Sequence, residues 1–185
     1  MDADMLERAL RRTGRTVEGT TRDKLDNPTH VGNWSVRDLL NHIIGGLVSW
    51  ADGAFGRAVP MDGTDYSDDD YAATYYEKAK NLLDVFSDES ALARTFTLPT
   101  GETPGQIVLG LAVTDAAVHG WDLAKATGQE AVIDEDIAET LYATTTSMMQ
   151  PKGQYPRGSY FGEAVDVRED APAQDRLVAY LGRRP

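Results

Sequence analysis

Residues 36 to 48 constrain the fold of this chain more than any other stretch. Val36, Leu39, Leu40, Ile43, Ile44, Leu47 and Val48 recur at intervals of three and four, the period of an α-helix with one apolar face. Ser35 stands in front as an N-cap, and Asp38 three residues on makes a weak form of the capping box. The spacing predicts a helix from 36 to about 55 that ends near Gly56 or Pro60. A stripe this apolar needs other elements to bury it.

The remaining patterning supplies helical partners. A weakly amphipathic helix is expected from 5 to about 26, with sparse apolar positions at Met5, Leu6, Leu10, Val17 and Leu25, broken by Asn27-Pro28-Thr29-His30. Residues 61 to 70 are acidic and turn-rich and read as an exposed loop. A third helix spans 71 to 86, with Tyr75, Ala79, Leu82, Leu83 and Phe86 inward. Residues 95 to 99 suit a short extended stretch before a turn at Thr100-Gly101. Thr103 is read as the cap of a fourth helix, with Pro104 at its first position and its end at Gly128. A fifth helix runs from 134 to about 149, and 173 to 181 can form a short terminal one. The fold class is therefore all-α, a helical bundle in which sites are built by side chains from facing helices. The length of 185 residues suits one domain, 1–185.

Composition narrows the chemistry. The chain has no cysteine, which excludes disulfides, thiolate metal sites and a cysteine nucleophile. Any metal must be held by His, Asp, Glu or main-chain oxygen, and any thiol chemistry must use a small-molecule thiol. The formal net charge of −12 disfavours nucleic acid and anionic membrane surfaces as partners. The charged N-terminus lacks a signal-like apolar core, and no segment is read as approaching the roughly 20 apolar residues of a membrane span. The cytoplasm is the expected location.

There are three histidines, His30, His42 and His119, and two of them fall within the two best helices. At about 100° per residue, His42 lies at the edge of its helix's apolar stripe. Gly46, one turn on, is expected to leave a gap beside the imidazole. On the fourth helix the stripe reads Ile107, Leu111, Thr114, Val118 and Trp121. Asp115 and His119 lie along one side of it, four apart and on one face. Asp-x-x-x-His on a helix can chelate a metal ion, as two histidines do in His-Glu-x-x-His. With His42 from a facing helix, the set is two imidazoles and one carboxylate with positions left open. That donor set suits Zn²⁺ in a catalytic mode, or Fe²⁺, Ni²⁺ or Co²⁺. Taken singly, each residue has an ordinary reading as a packed histidine or a surface pair. Asp122, near the same face, is a candidate acceptor for an imidazole N–H. His30 lies in a loop and is not counted as a ligand. Trp34, Trp50 and Trp121 read as core or loop-anchoring aromatics.

Several segments carry a family resemblance. Trp34-Ser35-Val36-Arg37-Asp38-Leu39-Leu40-Asn41-His42 resembles the W-[ST]-x-x-[DE]-L-L-x-H segment of the DinB-like superfamily. Asp115-Ala116-Ala117-Val118-His119-Gly120-Trp121-Asp122-Leu123 resembles the E-x-x-x-H-x-x-D-L segment of its mycothiol-dependent maleylpyruvate isomerase branch. Phe161-Gly162 and the run from Asp170 to Leu177 resemble the ending of an actinobacterial subgroup of that branch.

The resemblance implies a four-helix bundle with a long crossover and a short extra C-terminal helix or tail. It implies a divalent metal held by His42, Asp115 and His119, the same three residues that helix spacing brings together. Zinc is favoured, with nickel or iron as alternatives. One position departs from the family pattern: Asp115 stands where Glu is usual, shorter by a methylene, which shortens its reach to a metal. The resemblance further implies mycothiol as cofactor or co-substrate, with a small electrophile isomerised or thiolated. Arg57, Arg94, Arg157 and Arg168 are candidate anion partners for a dianionic substrate, with Arg157 and Tyr160 in a Gly/Pro-rich segment able to form a lid. Monomer and homodimer both remain open. The alternative is a non-catalytic metal- or small-molecule-binding bundle with a degenerate site.

Overall fold

The computed structural model describes residues 1–67, 70–149 and 161–185. By backbone contacts the chain divides into two compact units, Met1–Ala131 and Val132–Pro185.

The first unit is built on four helices: α1 (Ala3–Glu18), α2 (Val36–Gly53), α3 (Tyr71–Phe86) and α4 (Gly105–Thr127). They form a ring in which α1 packs on α3 and α4, and α2 packs on the same two. Helices α1 and α2, though consecutive, are thus diagonal, and so are α3 and α4. The crossover expected for the family fold is built this way. Each helix turns one arc of its surface to the shared core, where Leu6, Leu40, Ile44, Tyr75, Leu82, Val108 and Leu123 are wholly buried. The Tyr75 hydroxyl donates to the Leu10 carbonyl at 2.8 Å, which satisfies its polar end.

Local chemistry sets the ends of these helices. The capping box at α2 is complete, since Ser35 accepts from the Asp38 N–H and Asp38 accepts from the Ser35 N–H. Helix α1 stops at Glu18 rather than near 26, because the Thr20 N–H turns to the Val17 carbonyl three residues back and the chain then makes a separate 3-10 turn at Arg22–Lys24. Thr103 does not cap α4. It belongs to a two-stranded hairpin, β1 (Thr95–Leu98) and β2 (Gly101–Pro104), where it pairs with Phe96. Pro104 is then the N-cap residue and Gly105 the first helical one. Helix α4 ends at Gly128, which takes the left-handed conformation with φ 75°.

The buried arc of α4 also differs from the expected stripe. Ile107 is 44% exposed, while Val108, Ala112, Val113 and Ala116 are buried. Packing on both α1 and α2 centres the arc on small residues, and Gly120 sits where a Cβ would lie 2.3 Å from the Thr13 hydroxyl of α1. Helix α4 also corrects the expectation that no segment is long and apolar enough to span a membrane. Its 23 residues pass by length and composition, but 67% of the qualifying window is buried, as in a core helix. On α3, Val85 is buried and Leu83 only partly so.

The second unit contains α5 (Glu135–Met149) and α6 (Ala173–Tyr180), which pack together through Ile137, Leu141, Leu177 and Val178. The Tyr142 and Tyr180 rings meet edge to face at 6.0 Å, and the Arg176 guanidinium lies over Tyr142.

Candidate metal centre

Helices α2 and α4 pack side by side in the ring, and this brings His42 opposite Asp115 and His119. Asp115 and His119 lie one turn apart on α4, as their spacing required. One ligating atom from each of the three falls within 4.8 Å of the others. The Asp115 Oδ1 is 3.4 Å from His42 Nε2 and 3.5 Å from His119 Nε2. All three side chains are 14–15% exposed, so the cluster opens narrowly to solvent.

These separations discriminate between two kinds of contact. They are longer than the usual 2.7–3.2 Å of an N–H···O hydrogen bond. Donors at about 2.1 Å from one ion, set at the tetrahedral angle, lie about 3.4 Å apart. The two distances from Asp115 match an ion's coordination edges, the third side of the cluster lies within 4.8 Å, and this donor set fits a divalent metal. Two imidazoles and one carboxylate supply three ligands and leave the fourth position free. The shorter Asp115 side chain is long enough for this geometry, because α4 brings its carboxylate to the same distance from both imidazoles.

The outer nitrogens of both rings are also held. His119 Nδ1 is 3.0 Å from the Oδ2 of Asp122, a fully buried carboxylate one turn along α4. His42 Nδ1 is 2.7 Å from the Oδ1 of Asp62. With Nδ1 turned to a carboxylate, each imidazole presents its Nε2 toward Asp115. Burial opposes a positive charge on His42, but Asp115 and Asp62 together outweigh it and hold its pKa up at about 9 in the metal-free protein.

Asp62 was not legible as a site residue. It lies in the acidic segment expected to be an exposed loop, its side chain is 71% exposed, and no periodicity links it to His42. The gap expected beside Gly46 is filled, since a Cβ there would meet Trp50 and the Met61 methyl at 3.2–3.3 Å. The space that matters is at Gly45, where a Cβ would fall 1.7 Å from the Met61 carbonyl oxygen.

Trp34 forms a wall of the site. Its ring lies 4.7 Å from that of His42 and 6.3 Å from that of His119, and the two imidazoles meet edge to face at 5.1 Å. A tight loop delivers it, with the Trp34 carbonyl accepting from both the N–H and the hydroxyl of Thr29. Trp34 thus has a place at the site beyond anchoring a loop. His30 is exposed, and its ring lies 6.4 Å from Trp121.

Of the candidate anion partners, Arg57 pairs with Asp52, Arg94 approaches Asp88 at 4.0 Å, and Arg168 makes a two-pronged contact with Asp170. Each guanidinium is spoken for by a surface carboxylate. Arg157 and Tyr160 lie outside the described residues.

Known proteins resemble this chain in sequence and in fold. Residues 6–124 match the family model of the mycothiol maleylpyruvate isomerase N-terminal domain. The uncharacterized proteins MT0763 and Rv0738 of Mycobacterium tuberculosis (strains CDC 1551 and H37Rv) are each 34% identical to the chain over 164 residues, covering 87% of it and 86% of the relative. Among solved structures, the mycothiol-dependent maleylpyruvate isomerase superposes with a TM-score of 0.59 at 16% identity, covering 78% of this chain and 68% of that one. A histidine-to-alanine variant of a mycothiol-dependent maleylpyruvate isomerase gives 0.58 at 15% identity, with the same coverage. At such identities these structures speak to the fold, which is the all-α one of the DinB-like proteins. The family match spans α1 to α4 and includes both histidines and the aspartate of the cluster, so the chain belongs to the mycothiol maleylpyruvate isomerase N-terminal domain family of DinB-like proteins.

Proposed function

We propose that this protein is a metal-dependent enzyme of the cytoplasm that uses a low-molecular-weight thiol, mycothiol in the family's chemistry, either to isomerise a small electrophile or to transfer the thiol sulfur onto it. The observation that carries the proposal is Asp115 Oδ1 at 3.4 and 3.5 Å from His42 Nε2 and His119 Nε2, all three within 4.8 Å of one another, with both outer nitrogens held by carboxylates. His42, Asp115 and His119 would hold the ion, and zinc suits two imidazoles and a carboxylate, with nickel or iron as alternatives. When bound, a divalent ion supplies Lewis acidity that lowers the pKa of a coordinated thiol and yields a thiolate at neutral pH.

The chain's own residues supply the remainder. It has no cysteine, so no protein thiol competes for the ion or the electrophile. Asp62 and Asp122 accept the Nδ1 protons and fix the rings with Nε2 inward. Trp34 covers the two imidazoles with an apolar face and keeps water from that side. The fully buried Asp122 carboxylate favours a positive centre at the site. In an isomerase the thiolate would add to one carbon of the electrophile's double bond, the resulting C–C single bond would rotate, and the C–S bond would break again as the double bond re-forms. A transferase leaves the thiol attached.

The test begins with metal content, measured by mass spectrometry on untagged protein beside His42→Ala and Asp115→Ala. Near-stoichiometric metal in the parent, lost in both variants, supports the centre. Absence of metal after incubation with Zn²⁺ or Ni²⁺ sinks the proposal. Turnover of maleylpyruvate and other electrophiles with and without mycothiol then separates an isomerase from a transferase by whether the thiol is consumed.

A further inference from the structure

We propose that Asp62 is a positioning residue for the metal centre, delivered to His42 by a loop fastened onto the same helix. The inference rests on the metal reading above and adds a residue outside the segments that carry the family resemblance. Asp62 Oδ1 lies 2.7 Å from His42 Nδ1, the shortest contact to either imidazole in the site. An exposed carboxylate is ordinarily a weak partner, because it pays entropy and is screened by water. Asp62 is 71% exposed, so something must hold it in place.

Residues 61–67 provide the hold, and the fastening points flank His42 on α2. One turn along the helix, Gly45 offers no Cβ, and the Met61 carbonyl occupies that space; any side chain there would fall 1.7 Å from its oxygen. One residue before His42, Asn41 binds the far end of the loop. Its amide donates to Asp65 Oδ1 at 3.1 Å, and its carbonyl oxygen accepts from the Tyr66 N–H at 3.0 Å and from the Tyr71 hydroxyl at 3.3 Å. Between the two points, Gly63 turns the chain with φ 105°, a conformation that L side chains rarely adopt. Arg22 adds a contact to the Ser67 carbonyl at 3.2 Å. The loop is thus pinned on both sides of Asp62, and Asp62 faces the one ring between the pins. The result pairs the two imidazoles: His119 is oriented from its own helix by Asp122, and His42 from this loop by Asp62. Loss of such an outer partner commonly weakens a metal site by about 10- to 100-fold.

The experiment compares the parent with Asp62→Ala and Asp62→Asn in the full-length protein. Zn²⁺ affinity is read by chelator competition, and the d–d absorption of the Co²⁺-loaded protein reports ligand geometry. Asp62→Ala is expected to weaken Zn²⁺ binding by about 10- to 100-fold and to change the Co²⁺ spectrum. Asp62→Asn keeps an oxygen that accepts from Nδ1–H, so it is expected to recover most of the affinity and the parent's spectrum. Equal affinity and an unchanged spectrum in Asp62→Ala overturn the positioning role while leaving the metal centre standing. A parent protein that binds neither Zn²⁺ nor Co²⁺ overturns the metal centre itself, and the positioning role with it.

Discussion

At the scale of single residues, the site turns on how far one carboxylate can reach. Asp115 Oδ1 already sits 3.4 and 3.5 Å from the two inward nitrogens. A longer side chain at that position overshoots the midpoint between the imidazoles unless it folds back. Asp115→Glu is therefore expected to bind Zn²⁺ more weakly than the parent, although Glu is the more usual residue in the resembling segment. Chelator competition checks this, and tighter binding by the variant would mean that the aspartate site is a degenerate one. A second consequence concerns pH. In the metal-free protein Asp115 and Asp62 overcome the burial of His42 and hold its pKa near 9, above its ordinary 6.5. Stability from the protonated ring is then fully present below about pH 6.5 and is lost as pH rises through about 9. Chelator-treated protein should lose denaturation midpoint between pH 6.5 and 9.5, and His42→Gln should flatten that slope. That His42, Asp115 and His119 come together could be read from the sequence because each sits on a periodic helix. Asp62 could not, because its partnership depends on the course of an irregular loop.

Elements set where these residues stand. The period of α2 and the Ser35–Asp38 capping box were both legible, since they depend on neighbours in the chain. Ser35→Ala removes an N-cap acceptor and is expected to cost about 1 kcal/mol in chemical denaturation. What was not legible depended on contacts distant in sequence. Thr103 carries the pattern of a cap, yet pairing with Phe96 draws it into β2. Ile107 carries the pattern of a core residue, yet α4 turns its smaller residues to α1 and α2 and leaves Ile107 outside. Gly45 looks like an ordinary helix-weakening glycine until the Met61 carbonyl is seen against it. Gly45→Ala raises helix propensity but drives a methyl into backbone that cannot swing aside. Helical content by circular dichroism should hold, while Zn²⁺ affinity falls with the displaced loop. A variant with the parent's affinity would show that the loop bears no relation to the metal.

Across the whole molecule, the donors and the carboxylates that hold them all belong to residues 1–131, and the family match ends at residue 124. The fold class was legible at this scale because four amphipathic runs leave a chain few ways to bury its apolar faces. The diagonal order of the ring was not legible, since loop lengths alone permit several arrangements. The placement of every donor before residue 131 predicts how function divides along the chain. A protease site inserted between Gly128 and Asp134 allows the folded, metal-loaded protein to be cut after assembly. Metal should stay with the N-terminal piece at the parent's stoichiometry, because His42, Asp115, His119, Asp62 and Asp122 all remain in it. Metal lost on cutting alone would mean that the first unit does not hold the ion by itself.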